Sequence, residues 1–386
     1  MKTSSFIIFL SIVITVLGLT NFYIYKRIIN VIPAENHYRT IFTFVFIFTA
    51  ASYILARFLE RIWDSPIIDF LVWVGSFWLA AMLYLFLIFL FSDLLRLLNH
   101  WFSIFPTFIT ANNIIVNQVL AVIIFISLAT LLISGYINAD NPRIKKLDIK
   151  ISKQRGALGQ SYKIVMASDL HIGTMVSGKK LNEIVKMINS QNPDLILFAG
   201  DLVDEDISSV IRNHYGEDLR SLTAKYGIFA ITGNHEYIGG VEAACKYLNN
   251  HNITMLRDST ALINNDFYVV GREDRGISGF MGLKRKSFAE LLTGIDKSKP
   301  IIAMDHQPFD LNEAAEKGID FQLSGHTHHG QIFPLNLLTN AIYEVSWGYK
   351  KIANTQYYVS SGLGTWGPPI RIGNTPELVV INLVIE

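Results

Sequence analysis

The stretch SYKIVMASDLH, residues 161–171, joins an apolar run directly to an aspartate and a histidine, Asp169 and His171. The run is rich in residues that favour strands. Polar residues that follow a strand lie at its carboxyl end, which is where the sites of α/β sheets gather. The stretch therefore predicts a strand that ends in side chains able to bind a ligand.

Four more apolar runs end in the same manner: LILFA (195–199), YGIFAIT (226–232), PIIAM (300–304) and DFQLS (320–324). The polar residues that follow them are Gly200, Asp201, Asp204, Gly233, Asn234, His235, Glu236, His306, Gly325, His326 and His328. Helical patterns, such as residues 179–191 and 240–250, lie between several of the runs. This alternation predicts an α/β fold with a ring of ligands collected from five strand ends.

Seven of these side chains have the chemistry of metal ligands: Asp169, His171, Asp201, Asn234, His306, His326 and His328. Oxygen and nitrogen ligands without sulfur suit manganese, iron, zinc or magnesium. Cys245 is the only cysteine, so a disulfide framework and a multi-thiolate zinc site are excluded. Seven groups exceed the roughly four of one tetrahedral site, but they suffice for two ions that share a bridging carboxylate. Two ions about 3.5–4 Å apart form the clamp used in phosphoester hydrolysis.

The spacing of the ligands and their neighbours gives further expectations. Side chains at i and i+2 of a strand point to the same face, so the DxH pair (169 and 171) and the HxH pair (326 and 328) would each address one metal centre. Asp204 and Glu236 are expected to orient the ligands. His329 is expected to flank the site, and Asp305 to be a turn or surface carboxylate.

The first 140 residues have the composition of a membrane region. Apolar stretches cover residues 5–25, 40–56, 70–92 and 114–137, and each is near the roughly 20 residues that span a hydrocarbon core. We therefore predict a four-span transmembrane region at 1–140, a polar basic linker at 141–160 and a catalytic domain at 161–386. No basic block or basic stripe with aromatics occurs, so no nucleic-acid partner is expected.

Four spans place both ends of the membrane region on the same side. That side carries Lys2, Arg57, Arg61, Arg143, Lys145, Lys146 and Lys150, against Lys26, Arg27, Arg39 and Arg96 on the other. The positive-inside rule then predicts a multi-pass protein of the cell membrane with its soluble domain in the cytoplasm.

The series DLH, GDLVD, GNHE, a lone histidine and GHTH resembles the calcineurin-like metallophosphoesterase superfamily. GHTHHGQIFP and the tail from residue 357 look like a bacterial membrane-associated branch related to UDP-2,3-diacylglucosamine hydrolase. The resemblance implies a sandwich of two mixed sheets flanked by helices. It also implies one ion on Asp169, His171 and His328, a second on Asn234, His306 and His326, Asp201 as the bridge and His235 near the leaving group. One departure is His329, where the closest pattern usually has glycine.

These observations predict a membrane-anchored phosphodiesterase or pyrophosphatase with two divalent metal ions. We expect a metal-bridging hydroxide to attack phosphorus and His235 to protonate the departing alkoxide. A catalytic face close to the bilayer would favour a lipid-linked phosphoester. The alternatives are a general phosphomonoesterase or cyclic-nucleotide phosphodiesterase, a sensor whose phosphate site does not cut, and a transporter or receptor with a regulatory hydrolase domain.

Overall fold

The computed structural model describes residues 3–33, 37–60, 62–63, 65–110, 114–153, 159–176, 178–205 and 207–386. The chain divides into two compact units, Met1–Tyr136 and Ile137–Glu386, which are taken in turn. Lys2 and Arg61, which enter the charge comparison, lie outside the described residues, as do residues 154–158 of the expected linker.

The first unit is helical throughout its described elements. Its helices are α1 (Thr3–Ile29), α2 (Tyr38–Leu59), α3 (Pro66–Phe102), the short α4 (Thr107–Thr110) and α5 (Ile114–Ala139). Among the described residues, α1, α2, α3 and α5 are long and apolar enough to cross a membrane, which confirms the four predicted apolar helices. Helix α3 continues well past the predicted end at residue 92, because leucines and other good helix formers follow there without glycine or proline.

Close packing in this unit depends on small residues. A Cβ at Gly75 of α3 would lie 2.4 Å from the backbone nitrogen of Tyr53 in α2, so only glycine permits this approach of the two helices. Asn21 is satisfied within the unit, since its carbonyl accepts a hydrogen bond from Trp78 Nε1 at 2.9 Å. Its amide donates to the carbonyl of Leu17 at 2.8 Å, as a polar group among apolar helices requires.

The second unit contains the strands. In chain order they are β1 (Arg143–Ile151), β2 (Ser161–Ala167), β3 (Leu195–Phe198), β4 (Ile228–Ala230), β5 (Thr254–Met255), β6 (Ser259–Ile263), β7 (Phe267–Gly271), β8 (Ile301–Met304), β9 (Phe321–Ser324), β10 (Gly348–Ile352), β11 (Thr355–Val359) and β12 (Glu377–Ile385). They form one sheet in the order β1-β12-β2-β3-β4-β5 and another in the order β10-β11-β9-β8-β7-β6. Both sheets contain parallel and antiparallel neighbours, so the predicted pair of mixed sheets is confirmed.

Helices cover the outer faces of the two sheets. They are α6 (Gly178–Ser190), α7 (Ser208–Arg212), α8 (Tyr215–Arg220), α9 (Asn234–Gly239), α10 (Val241–Asn249), α11 (Gly276–Met281), α12 (Phe288–Leu291) and α13 (Leu311–Lys317). A further helix, α14 (Leu335–Ile342), has no buried residue. Alternation along β2 links the layers: Ile164 and Met166 belong to the core between the sheets, whereas Val165 packs with the helices outside. Burial on both faces explains why this strand is apolar without interruption from Ile164 to Ala167.

The segment at residues 143–151 differs from the expected linker. It is strand β1, paired in parallel with β12 from Arg143 opposite Glu377 to Ile151 opposite Ile385. Ile149 and Ile151 are buried, and the exposed Asp148 and Lys150 alternate with them. The basic residues of the segment suggested a linker, although its apolar residues form one face of a strand. The prediction of a linker at these residues was wrong.

Candidate metal centre and active site

The ends of five strands from both sheets deliver the predicted ligands to one place. All five runs named in the sequence are strands, β2, β3, β4, β8 and β9. Asp169, His171, Asp201, His306 and His328 are buried, and His326 is half-buried. The two sheets therefore bring together polar groups that are far apart in the chain.

A first group of ligand atoms comes from Asp169, His171 and His328, and these atoms lie within 4.8 Å of one another. Nε2 of His171 is 3.0 Å from Nε2 of His328. Nε2 of His328 is 3.5 Å from Oδ1 of Asp169. Two imidazole nitrogens and a carboxylate that converge in this way offer three lone pairs to one point, which is the arrangement that a cation requires.

A second group comes from Asp201, His306 and His326, again with ligand atoms within 4.8 Å of one another. Nδ1 of His306 donates to the carbonyl of Ala199 at 2.7 Å, which fixes the ring and leaves Nε2 directed at the site. Nε2 lies 3.0 Å from Oδ2 of Asp201, yet it makes no hydrogen bond of acceptable direction among the described residues. The two atoms face a common point instead of each other.

Asn234 is the predicted carboxamide ligand, and the backbone nitrogen of its neighbour His235 donates to Oδ1 of Asp201 at 2.9 Å. Oδ1 of Asn234 is buried and has no hydrogen-bond partner within the part of the chain that the structure describes. An orphaned buried carbonyl oxygen costs about 1–3 kcal/mol unless something binds it. A divalent cation bound to this oxygen would satisfy it, so the residues present fit the predicted metal.

The charges of the site also call for a cation. Burial alone would raise the pKa of Asp201, but the charges of His306 and His235 lower it well below its usual range. Burial alone would lower the pKa of His306, but the charge of Asp201 outweighs it and raises that pKa well above the usual value. Each group favours the charged form of the other, so positive charge beside this buried carboxylate is favourable. A cation bound to neutral His306 would take the place of that proton.

The pKa values of the other two histidines, His326 and His328, are lowered, unlike that of His306. Burial, followed by the charge of His306, lowers the pKa of His326 to about 3. Burial and the nearby Arg371 guanidinium lower the pKa of His328 well below the usual value. Both imidazoles are therefore neutral at ordinary pH, and a neutral imidazole is the form that binds metal.

The ligands reach these positions through strained loops, not through strand alternation. Positive φ angles of 54°, 49°, 53°, 72° and 46° occur at Asp169, His171, Asp201, His326 and His328. Non-glycine residues adopt this left-handed conformation at a cost, and such residues cluster at functional sites. The i, i+2 explanation of the two motifs was wrong, because their residues lie beyond the last residues of β2 and β9.

The HxH motif consequently serves two groups. His328 joins Asp169 and His171, whereas His326 joins Asp201 and His306. The backbone nitrogen of His326 donates to both oxygens of Asp169, at 2.9 and 3.1 Å, and thereby ties the loop after β9 to the loop after β2. This hydrogen bond joins a ligand of the second group to a ligand of the first.

Glu236 binds the backbone of the loops that follow β3 and β4. Its carboxylate accepts hydrogen bonds from the backbone nitrogens of Asp201 (3.2 Å), Val203 (3.0 Å) and Gly233 (2.7 Å). Glu236 is buried, and its contacts lie with the backbone on either side of the ligands Asp201 and Asn234. This arrangement supports the predicted orienting role of Glu236.

Asp204 and His235 form a pair at the edge of the ligand groups. Nδ1 of His235 lies 3.1 Å from Oδ1 of Asp204, and its backbone nitrogen donates to Oδ1 of Asp201 at 2.9 Å. Burial alone would lower the pKa of His235, but the charge of Asp201 and the Asp204 contact raise it to about 9. The exposed ring of Trp366 lies edge-on to His235, with 6.0 Å between the ring centroids.

Glycines are required where ligands approach the backbone. Gly200 has a φ of 92°, and a Cβ there would lie 2.5 Å from Nδ1 of His306. A Cβ at Gly325 would lie 2.4 Å from Oδ2 of Asp169.

His329, the residue predicted to flank the site, turns its ring to Ser346, with Nδ1 2.9 Å from the hydroxyl oxygen.

Sequence reasoning missed Arg371. Its side chain is wholly buried in the tail, and burial lowers its pKa to about 10. The guanidinium donates to the carbonyls of Ser361 and Gly364, each at 2.7 Å, and lies 3.2 Å from Nδ1 of His328. A lone arginine in a glycine-rich tail gives no signal in the sequence, because its partners are backbone carbonyls.

Asp305 is another correction. It was expected at a turn or on the surface, but its side chain is buried between two arginines. Arg272 NH1 lies 3.2 Å from one carboxylate oxygen, and Arg285 NH1 lies 2.7 Å from the other. The arginines that neutralise it come from elsewhere in the chain, so its neighbours in sequence could not indicate burial.

Comparisons with known proteins agree with this geometry. The family model described as calcineurin-like phosphoesterase matches residues 162–330. A metallophosphoesterase of Campylobacter jejuni is 30% identical over 389 residues, covering 98% of both chains. A metallophosphoesterase of Helicobacter pylori is 36% identical over 63% of this chain, and the match spans 64% of that relative's length. A zebrafish (Danio rerio) relative called transmembrane protein with metallophosphoesterase domain is 32% identical over 70% of this chain and 63% of its own.

The chain belongs to the calcineurin-like metallophosphoesterases, which are metal-dependent hydrolases of phosphoric esters. The predicted family is thereby confirmed, and so is the use of divalent metal as a property of that family. The relation to UDP-2,3-diacylglucosamine hydrolase stays a prediction, as do the roles of the individual site residues.

Proposed function

We propose that this protein is a membrane-anchored phosphodiesterase or pyrophosphatase that hydrolyses a lipid-linked phosphoester with two divalent cations. The observation that carries the proposal is the pair of ligand groups described above, which meet near the buried carboxylate of Asp201. Oδ2 of Asp201 lies 3.0 Å from Nε2 of His306 in one group and 4.0 Å from Nε2 of His171 in the other. A carboxylate between two groups can bridge two ions.

The ligand assignment is the one that the resemblance to the family implies, and the contacts within each group support it. Asp169, His171 and His328 would hold one ion, and Asn234, His306 and His326 would hold the other. Divalent cations in such a site act as Lewis acids on phosphoryl oxygens and lower the pKa of water. Oxygen and nitrogen ligands suit manganese, zinc, iron and magnesium, so they do not identify the ions.

His235 has the position of a proton donor to the leaving group. Asp204 holds Nδ1, so Nε2 is the ring atom left to face a substrate. Proton donation from a positioned histidine contributes about 10²–10⁴-fold to such reactions. The neighbouring Trp366 restricts the leaving-group side of the site to groups that tolerate an aromatic wall.

The lipid-linked substrate is supported by an apolar helix beside the ligands. Helix α14 has no buried residue, and its exposed side chains include Leu337 (61%), Leu338 (57%) and Ile342 (53%). Tyr343, the next residue after the helix, lies 6.0 Å from the ring of His326. Exposed apolar groups of this extent mark a binding surface, and acyl chains are the part of a lipid phosphoester that they would contact.

Residues 1–140 are proposed to be a multi-pass region of the cell membrane, with the catalytic domain in the cytoplasm. The excess of lysine and arginine on the side of the catalytic domain supports this orientation. The catalytic domain, predicted to begin at residue 161, would include β1 as well, because β1 extends the first sheet.

The test uses the full chain, purified in detergent and supplied with manganese or zinc. Its substrates are a p-nitrophenyl monoester, a p-nitrophenyl diester and a diacylated nucleotide-sugar. We expect diester and lipid-linked cleavage to exceed monoester cleavage. Equal rates on soluble and lipid substrates would instead favour a general phosphomonoesterase or cyclic-nucleotide phosphodiesterase, and metal binding without turnover would favour a sensor.

A variant of α14 separates the lipid preference from the chemistry. Leu338→Gln is expected to lower kcat/KM on the diacylated substrate several-fold and to leave the p-nitrophenyl diester unchanged. Leu262→Gln, at an exposed leucine of β6, is the matched control. If both variants behave alike on both substrates, α14 does not contact the lipid.

A further inference from the structure

The helical unit contains a cavity of about 860 Å³ between α1, α2, α3 and α5. One part of its wall is charged and polar, and includes Arg27, Asp93 and Arg96. The rest is apolar, with Trp78 and Leu128 among its lining residues. A cavity with two such regions has the polarity of a lipid, which joins an ionic headgroup to hydrocarbon chains.

The two regions are separated along the helices. Arg27 lies in the last turn of α1, and it contacts Asp93 in the last third of α3. Trp78 lies earlier in α3, where the helix rise of about 1.5 Å per residue puts it about 22 Å from Asp93. Such a length is comparable to one leaflet of a hydrocarbon core about 30 Å thick together with its interface.

The charges of the described side chains that line the polar end do not cancel. Asp93 forms an ion pair with the guanidinium of Arg27. It also accepts a hydrogen bond from the hydroxyl of Tyr23 at 2.6 Å. NH1 of Arg96 is farther away, 3.8 Å from Oδ1 of Asp93, and its side chain is 64% exposed. Two arginines thus face one carboxylate. The excess positive charge suits an anion, and the planar guanidinium matches the oxygens of a phosphate.

We infer that this cavity binds a bilayer phospholipid with an anionic headgroup. The phosphate would lie at Arg27 and Arg96, and the acyl chains would follow the apolar wall past Trp78. The inference does not depend on the substrate of the catalytic domain, because every contact that it uses lies within the first unit.

The primary test measures lipid binding to the full chain in an uncharged detergent by native mass spectrometry. The probes are phosphatidylglycerol and phosphatidylcholine with identical acyl chains. We expect phosphatidylglycerol to bind at least fivefold more tightly. Arg96→Gln should remove about fivefold of that affinity, since one basic residue near an anionic lipid contributes about that much. Lys26→Gln should have no effect, because Lys26 is a cation of the same helix end that does not line the cavity.

Two further variants keep the test decisive if a charge change disturbs folding. Ala121→Trp places a large ring in the cavity and should abolish binding of both lipids, whereas Val122→Trp, on the exposed side of α5, should not. Asp93→Asn removes the competing carboxylate and should tighten phosphatidylglycerol binding.

The inference is overturned if the two lipids bind equally, or if Arg96→Gln and Ala121→Trp both bind phosphatidylglycerol as the unmodified protein does. Displacement of bound phosphatidylglycerol by an equal concentration of a diacylated nucleotide-sugar would also overturn it, because the cavity would then belong to the substrate.

Discussion

Oδ1 of Asp204 lies 3.1 Å from Nδ1 of His235 and 3.6 Å from Nδ1 of His171. One carboxylate oxygen therefore contacts the ring proposed to donate a proton and a ring proposed to bind metal. Asp204 is itself buried, which leaves it little freedom to move. The geometry couples the orientation of the proton donor to the position of the metal site.

Replacing His235 with alanine should remove proton donation and leave the metal in place. We expect kcat on an alkyl phosphodiester to fall by about 10²–10⁴-fold, with a much smaller loss on a p-nitrophenyl diester, whose leaving group needs no proton. Metal content, measured by mass spectrometry of the digested protein, should be unchanged. Full activity of this variant on the alkyl ester would rule out the donor role.

Asp204→Asn should act through the orientation of His235. Loss of a residue that orients a site typically costs about 10–100-fold in activity, and we expect this loss on the alkyl diester, with a smaller one on the p-nitrophenyl diester. The control is Asp148→Asn, because Asp148 pairs with Asn382 on an exposed part of β1. Equal losses on the two esters would contradict an orienting role.

The ligand groups should lose metal separately. His328→Ala is expected to lower metal content by about one ion per chain, and His326→Ala to remove a different ion, because the two histidines belong to different groups. Asp201→Ala should lose both ions, since Asp201 lies between the groups. Metal stoichiometry of the purified variants measures this, and a single ion in the unmodified, metal-saturated protein would exclude the dinuclear proposal.

Gly325→Ala tests the close approach of the two loops. The added Cβ would lie 2.4 Å from Oδ2 of Asp169 and 2.5 Å from the hydroxyl oxygen of Ser168. Moving Asp169 away should lower metal affinity at least tenfold, as titration with manganese would show. Gly279→Ala, where no atom lies within 4 Å of the new Cβ, is the control. Unchanged affinity in the Gly325 variant would mean that the loops can separate without harm.

Chelation should destabilise the catalytic unit. Asp169 and Asp201 are buried, and imidazoles of His306 and His328 lie within 4.0 Å of their carboxylate oxygens. A bound cation at a hundred times its Kd stabilises the folded state by about 2.7 kcal/mol. At about 2–4 °C per kcal/mol, a unit of this size should lose about 5–10 °C in Tm when the metal is removed. Thermal unfolding followed by fluorescence, with and without chelator, measures the shift, and identical curves would contradict metal binding.

Much of the architecture could be predicted from the sequence, because a strand buried on both faces must be an apolar run and the ligands stand directly after these runs. Strand β1 could not, since it buries one face and carries lysines on the other. The partners of Asp305 and Arg371 could not either, because those contacts join segments that only folding brings together.

The residues alone determined the family, the oxygen and nitrogen chemistry of the ligands and the four apolar helices. The resemblance to the family already implied how the ligands divide into two groups, and tertiary structure decided the backbone angles and contacts by which they do so. Local spacing suggested that neighbours in an HxH motif share an ion, but left-handed backbone angles at His326 and His328 turn the two rings apart. Such angles are held by long-range contacts, such as the hydrogen bond from His326 to Asp169. Local sequence patterns do not predict these contacts.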